Sequence, residues 1–379
     1  MKRGILIFTV LSIILGVAGC KKSKVDILYD KKYIKEIKEV RKDIGFFLAR
    51  NFIPGGSFAI MKDGKIIYSE GVGWASQDLE VKVNRDTKFR IGEVSELFTS
   101  AILQLMIDNG TLHPDSTVQH YLPDFPDIGK TMTINQLANH TSGLTIENEE
   151  EENWTGFNVG IERGLTRFKD KPLDYQPDLF QNVSMYNYNL LGAIMEKVTG
   201  KHFSNLLEEY VTDTLHLNNT RIDNTFQVIK GRTDFFDYNM ISQVINATSR
   251  DLRYKAPSKG LLSNAEDLVK LGNAIYFTDY FTDKMREKML QPVILLDSFP
   301  APIANGWIFL ETRNGGKMYG RKGTISGGSS AILVIPQEKM VIAGTTNLTG
   351  RLDEIPVFEI ANHFLPQQED SQQSKKDSE

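Results

Sequence analysis

The sequence predicts an α+β fold in which a sheet is assembled from both chain ends around a helical insertion. Two observations carry this reading. Hairpin signals near residues 60 and 340 bracket a long middle stretch that reads mainly as helix. Outside each hairpin stands a further helical pattern, one near the start of the chain and one near its end. With 379 residues, 41% hydrophobic and 24% charged, the chain can bury a substantial core and is neither mainly disordered nor collagenous. Lys plus Arg number 44 against 48 Asp plus Glu, so no basic excess points to nucleic acid. Cys20 is the sole cysteine, which excludes disulfides within the chain and thiolate metal clusters; no metal or cofactor is expected.

Taken in order, residues 1–20 read as an address. Met1-Lys2-Arg3 is basic, residues 4–19 carry no charge, and Gly16-Val17-Ala18-Gly19 puts small residues before Cys20. This is the layout of a secretory signal. Its ending resembles a bacterial lipoprotein box, which implies cleavage, acylation of Cys20 and a place in the bacterial cell envelope, lipid-anchored. Loss of Lys2 and Arg3 would take the net charge from −4 to −6. Residues 21–30 are polar and read as a tether.

Ile34, Ile37, Val40, Ile44 and Phe47 recur at helical spacing, and Pro54-Gly55-Gly56 stops that helix. Ser57–Met61 and Ile66–Tyr68 flank Lys62-Asp63-Gly64-Lys65, a hairpin signal with Asp-Gly at its tip. Helices follow at Phe98–Asn109, over 184–215 with a break at Gly200, and at Leu261–Phe277, where Ser263 and Glu266 suggest a capping box. Ala331–Ile335 and Met340–Thr345 form the second hairpin, and Ile355–Leu365 reads as a closing helix. Residues 367–379 are polar and read as disordered.

Several runs then fall in a familiar order. They are Thr87-Lys88-Phe89-Arg90-Ile91-Gly92, Tyr121-Leu122-Pro123, Ile134-Asn135-Gln136-Leu137, His140-Thr141-Ser142-Gly143-Leu144, Leu190-Leu191-Gly192, Val198-Thr199-Gly200-Lys201, Gly260-Leu261-Leu262-Ser263 and Gly306-Trp307. From about Pro54 to Asn347 the chain resembles the serine β-lactamase and penicillin-binding-protein-like hydrolases, nearest the class C and D-aminopeptidase or esterase type. The resemblance implies a five-stranded antiparallel sheet flanked by N- and C-terminal helices (about 31–95 and 255–366). It also implies an all-helical part (about 96–254) and a cleft between the two.

That family acylates a serine in Ser-x-x-Lys at the start of a helix, where the lysine one turn on takes the hydroxyl proton. A Tyr-x-Asn loop, a strand Lys- or His-x-Gly and an oxyanion hole complete the site. Here every chemical side chain departs from that pattern. The nucleophile position holds Glu93 and the base position Glu96; no Ser-x-x-Lys occurs anywhere in the chain. The loop motif falls on Val183-Ser184-Met185, losing tyrosine and asparagine at Val183 and Met185, and the strand motif reads Arg321-Lys322-Gly323. Ser95 lies around the helix from the motif face and cannot replace the serine. A carboxylate attacking an amide would give a reactive anhydride.

A salt bridge between Glu93/Glu96 and Arg321 or Lys322 is therefore expected across the cleft floor, with Glu93 also serving the helix dipole. Two carboxylates without a third ligand are a weak metal signal. The acidic run Glu147–Glu152 reads as a solvated loop, with cation or basic-peptide binding as the alternative. His140 reads as a structural landmark, and Tyr186, Tyr188 and Ser329-Ser330 as packing. The expectation is an inactive homologue on the membrane that binds a cell-wall-derived (peptidoglycan) peptide, a small acyl ligand or a protein partner. The alternatives are an active ester, amide or peptide hydrolase with a non-standard site, and a structural envelope lipoprotein.

Overall fold

The computed structural model describes residues 26–152, 154, 156, 160–311, 315–350 and 354–365. The signal segment with Cys20, the first half of the tether and the tail 367–379 lie outside them.

The first hairpin forms as its turn residues require. Strands β2 (Gly55–Lys62) and β3 (Lys65–Ser76) join through Asp63 and Gly64, at φ 50° and 73°, the left-handed pair that matches strand twist. Before them, β1 (Ile27–Tyr29) pairs with β3, so the end of the tether is an edge strand, and Asp30 caps the turn that follows. Beyond them lie the short β4 (Val81–Lys82), β5 (Ile303–Ala304) and β6 (Trp307–Glu311). The long C-terminal strands are β7 (Lys317–Ile325), β8 (Gly328–Ile335) and β9 (Met340–Thr346).

These make one antiparallel sheet in the order β1-β3-β2-β9-β8-β7-β6-β5, with β4 on β3. The five expected strands are its centre, β3-β2-β9-β8-β7, so the sheet is wider than the family pattern alone suggests. Each end of the chain supplies part of it: β2 pairs with β9 along its whole length, Lys62 opposite Met340 and Gly56 opposite Thr346.

Period-two alternation divides the core. Met340 and Ile342 of β9, with Leu333 and Ile335 of β8, face helix α1 (Ile34–Arg50) and the closing helix. Val341 and Ala343, with Ile332 and Val334, face the opposite way and join the larger cluster. That cluster holds α2 (Ser95–Asp108), α3 (Met185–Thr199) and α4 (Ala265–Phe277). The closing helix α5 spans only Val357–Asn362.

Some local expectations give way. Helix α2 starts at Ser95, directly after a 3-10 turn at Gly92–Val94. The cap of α4 is Asn264, whose side chain accepts the Asp267 N–H; Ser263 ends a short strand, Leu261–Ser263, and Glu266 is held by Ser69 and Arg85. The inserted part is not wholly helical, since it contains the hairpin Phe236–Tyr238/Val244–Asn246. The break at Gly200 is a left-handed C-cap, φ 67°, as that residue type favours.

Candidate functional site

The site begins with a backbone contact. A Cβ on Gly323 would lie 2.2 Å from the Ile91 carbonyl oxygen, and one on Gly92 (φ 51°) would lie 2.6 Å from the Thr324 nitrogen. Two glycines thus let the turn Gly92–Val94 press directly on β7. Ser330 fastens it by donating to the Ile91 carbonyl at 2.6 Å. The first turn of α2 is thereby held over the strand that carries Arg321.

Beneath this contact is a buried ion pair. Glu96 is wholly buried, and Arg321 donates from Nη2 to Glu96 Oε2. His140 Nε2 lies 3.3 Å from the same oxygen. Neighbouring bonds fix the imidazole tautomer. Ser142 Oγ accepts the Leu144 N–H at 3.2 Å and donates to Asn187 Oδ1 at 2.5 Å. This turns the Asn187 amide N–H toward His140 Nδ1 at 3.2 Å. Nδ1 therefore accepts, and Nε2 carries the proton given to Glu96. His140 has φ 57° and is one of the few non-glycine residues in the left-handed region. Burial alone would raise the Glu96 carboxyl, but Arg321 first, then His140, outweigh it and hold it below the usual range.

A second cluster sits at the mouth. Glu93 Oε2 accepts the Thr324 N–H at 2.7 Å, and its Oε1 lies 3.2 Å from Lys259 Nζ. Lys259 also reaches Glu147 Oε1 and Glu152 Oε2, each at 3.1 Å. Lys255 donates to the Glu152 carbonyl at 3.1 Å. Glu147 in turn accepts the Met185 N–H at 3.1 Å, at the start of α3. Burial would lower the Lys259 ammonium, yet Glu93, Glu147 and Glu152 hold it above the ordinary lysine value, so it stays charged. Lys255 goes the other way: burial, only partly offset by Glu152, brings it down to about 8. Among the described residues no group of His, Cys, Asp and Glu is arranged to hold a metal ion.

The profile described as Beta-lactamase matches residues 40–358, most of the chain. The chain belongs to the beta-lactamase family. The curated protein flp of Staphylococcus aureus (strain N315) is 26% identical over 339 residues, covering 86% of this chain and 67% of that protein. The chain thus spans about two thirds of that relative's length. Two solved structures share the fold. FmtA from Staphylococcus aureus superposes with a TM-score of 0.74 at 21% identity, over 90% of this chain and 91% of that one. The octameric penicillin-binding protein homologue from Pyrococcus abyssi gives 0.72 at 21% identity, over 82% and 73%.

Within this family member the sequence-derived positions separate. Glu96 and Arg321 meet as expected. Lys322 does not join them: strand alternation turns it to the opposite face, where it is exposed and pairs with Glu354. Glu93 takes its cation from Lys259 instead of the strand, and its carboxylate goes to the Thr324 N–H instead of capping α2. Ser95 is buried and accepts the Leu261 N–H at 3.2 Å, away from the cleft. Val183 is partly exposed just before α3, Ser184 caps that helix, and Met185 is buried in the helical core.

Tyr186 stacks on Phe168 with ring centroids 4.2 Å apart. Tyr188 donates to the Ala138 carbonyl at 3.0 Å, and its ring lies 5.1 Å from that of His140. Both are packing residues, as read from the sequence. The acidic run was misread as solvated: Glu147 and Glu152 fold into the mouth. Lys255 and Lys259 were missed altogether. The available signal was a pair of lysines four residues apart directly before Gly260-Leu261-Leu262-Ser263, in a stretch that is otherwise small or apolar.

Proposed function

We propose that this chain is an envelope lipoprotein, anchored through Cys20, that uses the family's cleft to bind a ligand without forming an acyl-enzyme. The observation that carries the reading is the state of Glu93. Where the family places a neutral nucleophile, an anion stands, already satisfied by the Thr324 N–H and the Lys259 ammonium.

The chemistry follows from these groups. An acyl transfer needs a nucleophile that can shed a proton to a neighbouring base and donors left open for the developing oxyanion. Glu96, one turn on, is a buried anion locked to Arg321. Lys259 is held protonated and cannot accept a proton. Attack by Glu93 on an amide would exchange a stable bond for an anhydride, next to further negative charge from Glu147 and Glu152. A ligand that replaces Glu93 at the Thr324 N–H needs an oxygen acceptor of its own, and the acids around Lys259 favour a cationic group nearby. A cell-wall-derived peptide supplies both; a small acyl ligand supplies the first.

The test is intact-protein mass spectrometry after incubation with a fluorescent penicillin and with a fluorophosphonate, run beside a thermal-shift screen of muropeptides. The expected result is no covalent adduct together with a saturable upward shift. A stoichiometric adduct, or nitrocefin turnover, overturns the reading. Back-substitution Glu93→Ser with Glu96→Lys is expected to leave the protein unlabelled, because Val183 and Met185 still replace the tyrosine and asparagine.

A further inference from the structure

A groove at one end of the sheet, separate from the ion pairs of the cleft, is lined by Phe52, Pro54, Val72, Trp74, Gln77 and Val244. Around it stand apolar side chains that nothing among the described residues covers. At the tip of the hairpin Phe236–Tyr238/Val244–Asn246, Met240 is 103% and Ile241 74% exposed; Phe52 is 71% and Leu79 76% exposed. Scattered exposed leucines need no explanation, but several large apolar residues gathered at one end do.

The tip is built to stay out. Asn239 Oδ1 accepts the N–H groups of both Ile241 (3.1 Å) and Gln243 (2.9 Å), so the turn that presents Met240 and Ile241 is tied at its base. Tyr238 donates to the Asn51 carbonyl at 2.7 Å, which holds the hairpin against the end of α1 beside Phe52. Lys82 lies over the Trp74 ring, 3.0 Å from its centroid, giving the rim an aromatic and a cation of the kind found at membrane–water boundaries.

The course of the N-terminal chain singles out this end. β1 runs antiparallel to β3, Tyr29 opposite Tyr68 and Ile27 opposite Glu70, so the chain traced back from Ile27 heads toward Val72 and the groove. Asp26 accepts the Arg85 N–H at 3.2 Å. Cys20 is six residues before Asp26, so it can lie at most about 20 Å from this point.

We infer that Met240 and Ile241, with Phe52 and Leu79 beside them, rest in the interfacial layer of the lipid bilayer that holds Cys20. The inference rests on the anchor reading above. A lipid chain near the rim and apolar side chains on the protein would act as two membrane signals on one face, fixing the orientation of the domain as well as its location.

The test uses the mature acylated chain in 3:1 phosphatidylethanolamine/phosphatidylglycerol vesicles containing brominated lipid. With Cys20 acylated, a single introduced cysteine takes an environment-sensitive fluorophore, at Met240→Cys or, as a distant reference, at Lys197→Cys. The label at 240 is expected to shift blue and to be quenched at least threefold more than the label at 197; equal, water-like emission at both overturns the proposal. In a second arm, residues 21–379 without lipid are mixed with the same vesicles. Met240→Asp with Ile241→Asp is expected to weaken partition at least fivefold at unchanged unfolding midpoint, and an unchanged partition also overturns the proposal. A concentration-dependent dimer abolished by the same variant would assign the face to a second copy and overturn it too. Mass spectrometry finding Cys20 unmodified would remove the anchor reading alone, leaving the second arm to decide the tip.

Discussion

At the cleft floor Glu96 meets Arg321 with both side chains out of water, at most 4% exposed. At the mouth Lys259 meets Glu93, Glu147 and Glu152, which keep 18%, 7% and 29% of their side-chain exposure. The two clusters use the same chemical groups, yet their energetics differ. A dry pair is costly to form and costlier to break, because loss of one partner strands the other charge without water. A half-wet cluster can recruit solvent when a member leaves, so each contact is worth less. The floor therefore acts as a fixed element, while the mouth is the part that can rearrange.

The largest effect should come from breaking the floor. Glu96→Ala is expected to cost about 3–5 kcal/mol of stability by leaving Arg321 buried and unpaired, measured by urea unfolding. Glu96→Leu combined with Arg321→Met should recover most of that loss, since neither charge is then stranded. At the mouth, Lys259→Ala should cost about 1–3 kcal/mol, with Glu93, Glu147 and Glu152 left to repel one another through water.

A pH titration sharpens the comparison further. The Lys255 ammonium is depressed to about 8 in the folded state against an ordinary 10.5. Between those values the unfolded chain binds more protons, so this residue's contribution makes stability rise with pH from about 8 to 10.5. Lys255→Met should remove that rising component from urea midpoints measured across the interval. The Glu96 carboxyl is lowered, so its stabilisation is present above the usual carboxylate range and is lost as pH falls through its depressed value. The smallest effect belongs to Lys322→Ala. Its pair with Glu354 is more than half exposed on both sides, and the loss should stay within about 0.5 kcal/mol.

Much of the architecture was legible because local signals agreed with tertiary packing. Asp63-Gly64 marked a turn, Gly200 a helix end, and the spacing of Ile37, Val40, Ile44 and Phe47 a buried face. Glu96 and Arg321 were legible because two motif positions had exchanged charge in a compensating way. The Lys259 cluster was not, since its members lie far apart in sequence and none occupies a family motif position. Lys322 shows a different limit. Its place beside Arg321 suggested the cleft, but adjacent strand residues point to opposite faces, so only the register decided which cation was inside.

The reach of Lys259 has a kinetic consequence. Its ammonium clips the start of the first cleft helix, through Glu93, to the 147–152 segment on the other wall. Entry of a ligand then waits on spontaneous release of that clip. Binding should show a rate that levels off with ligand concentration, at a plateau set by how often the clip opens, and the apparent affinity should fall in proportion to the closed fraction. Lys259→Ala would lift that ceiling while leaving the buried floor in place.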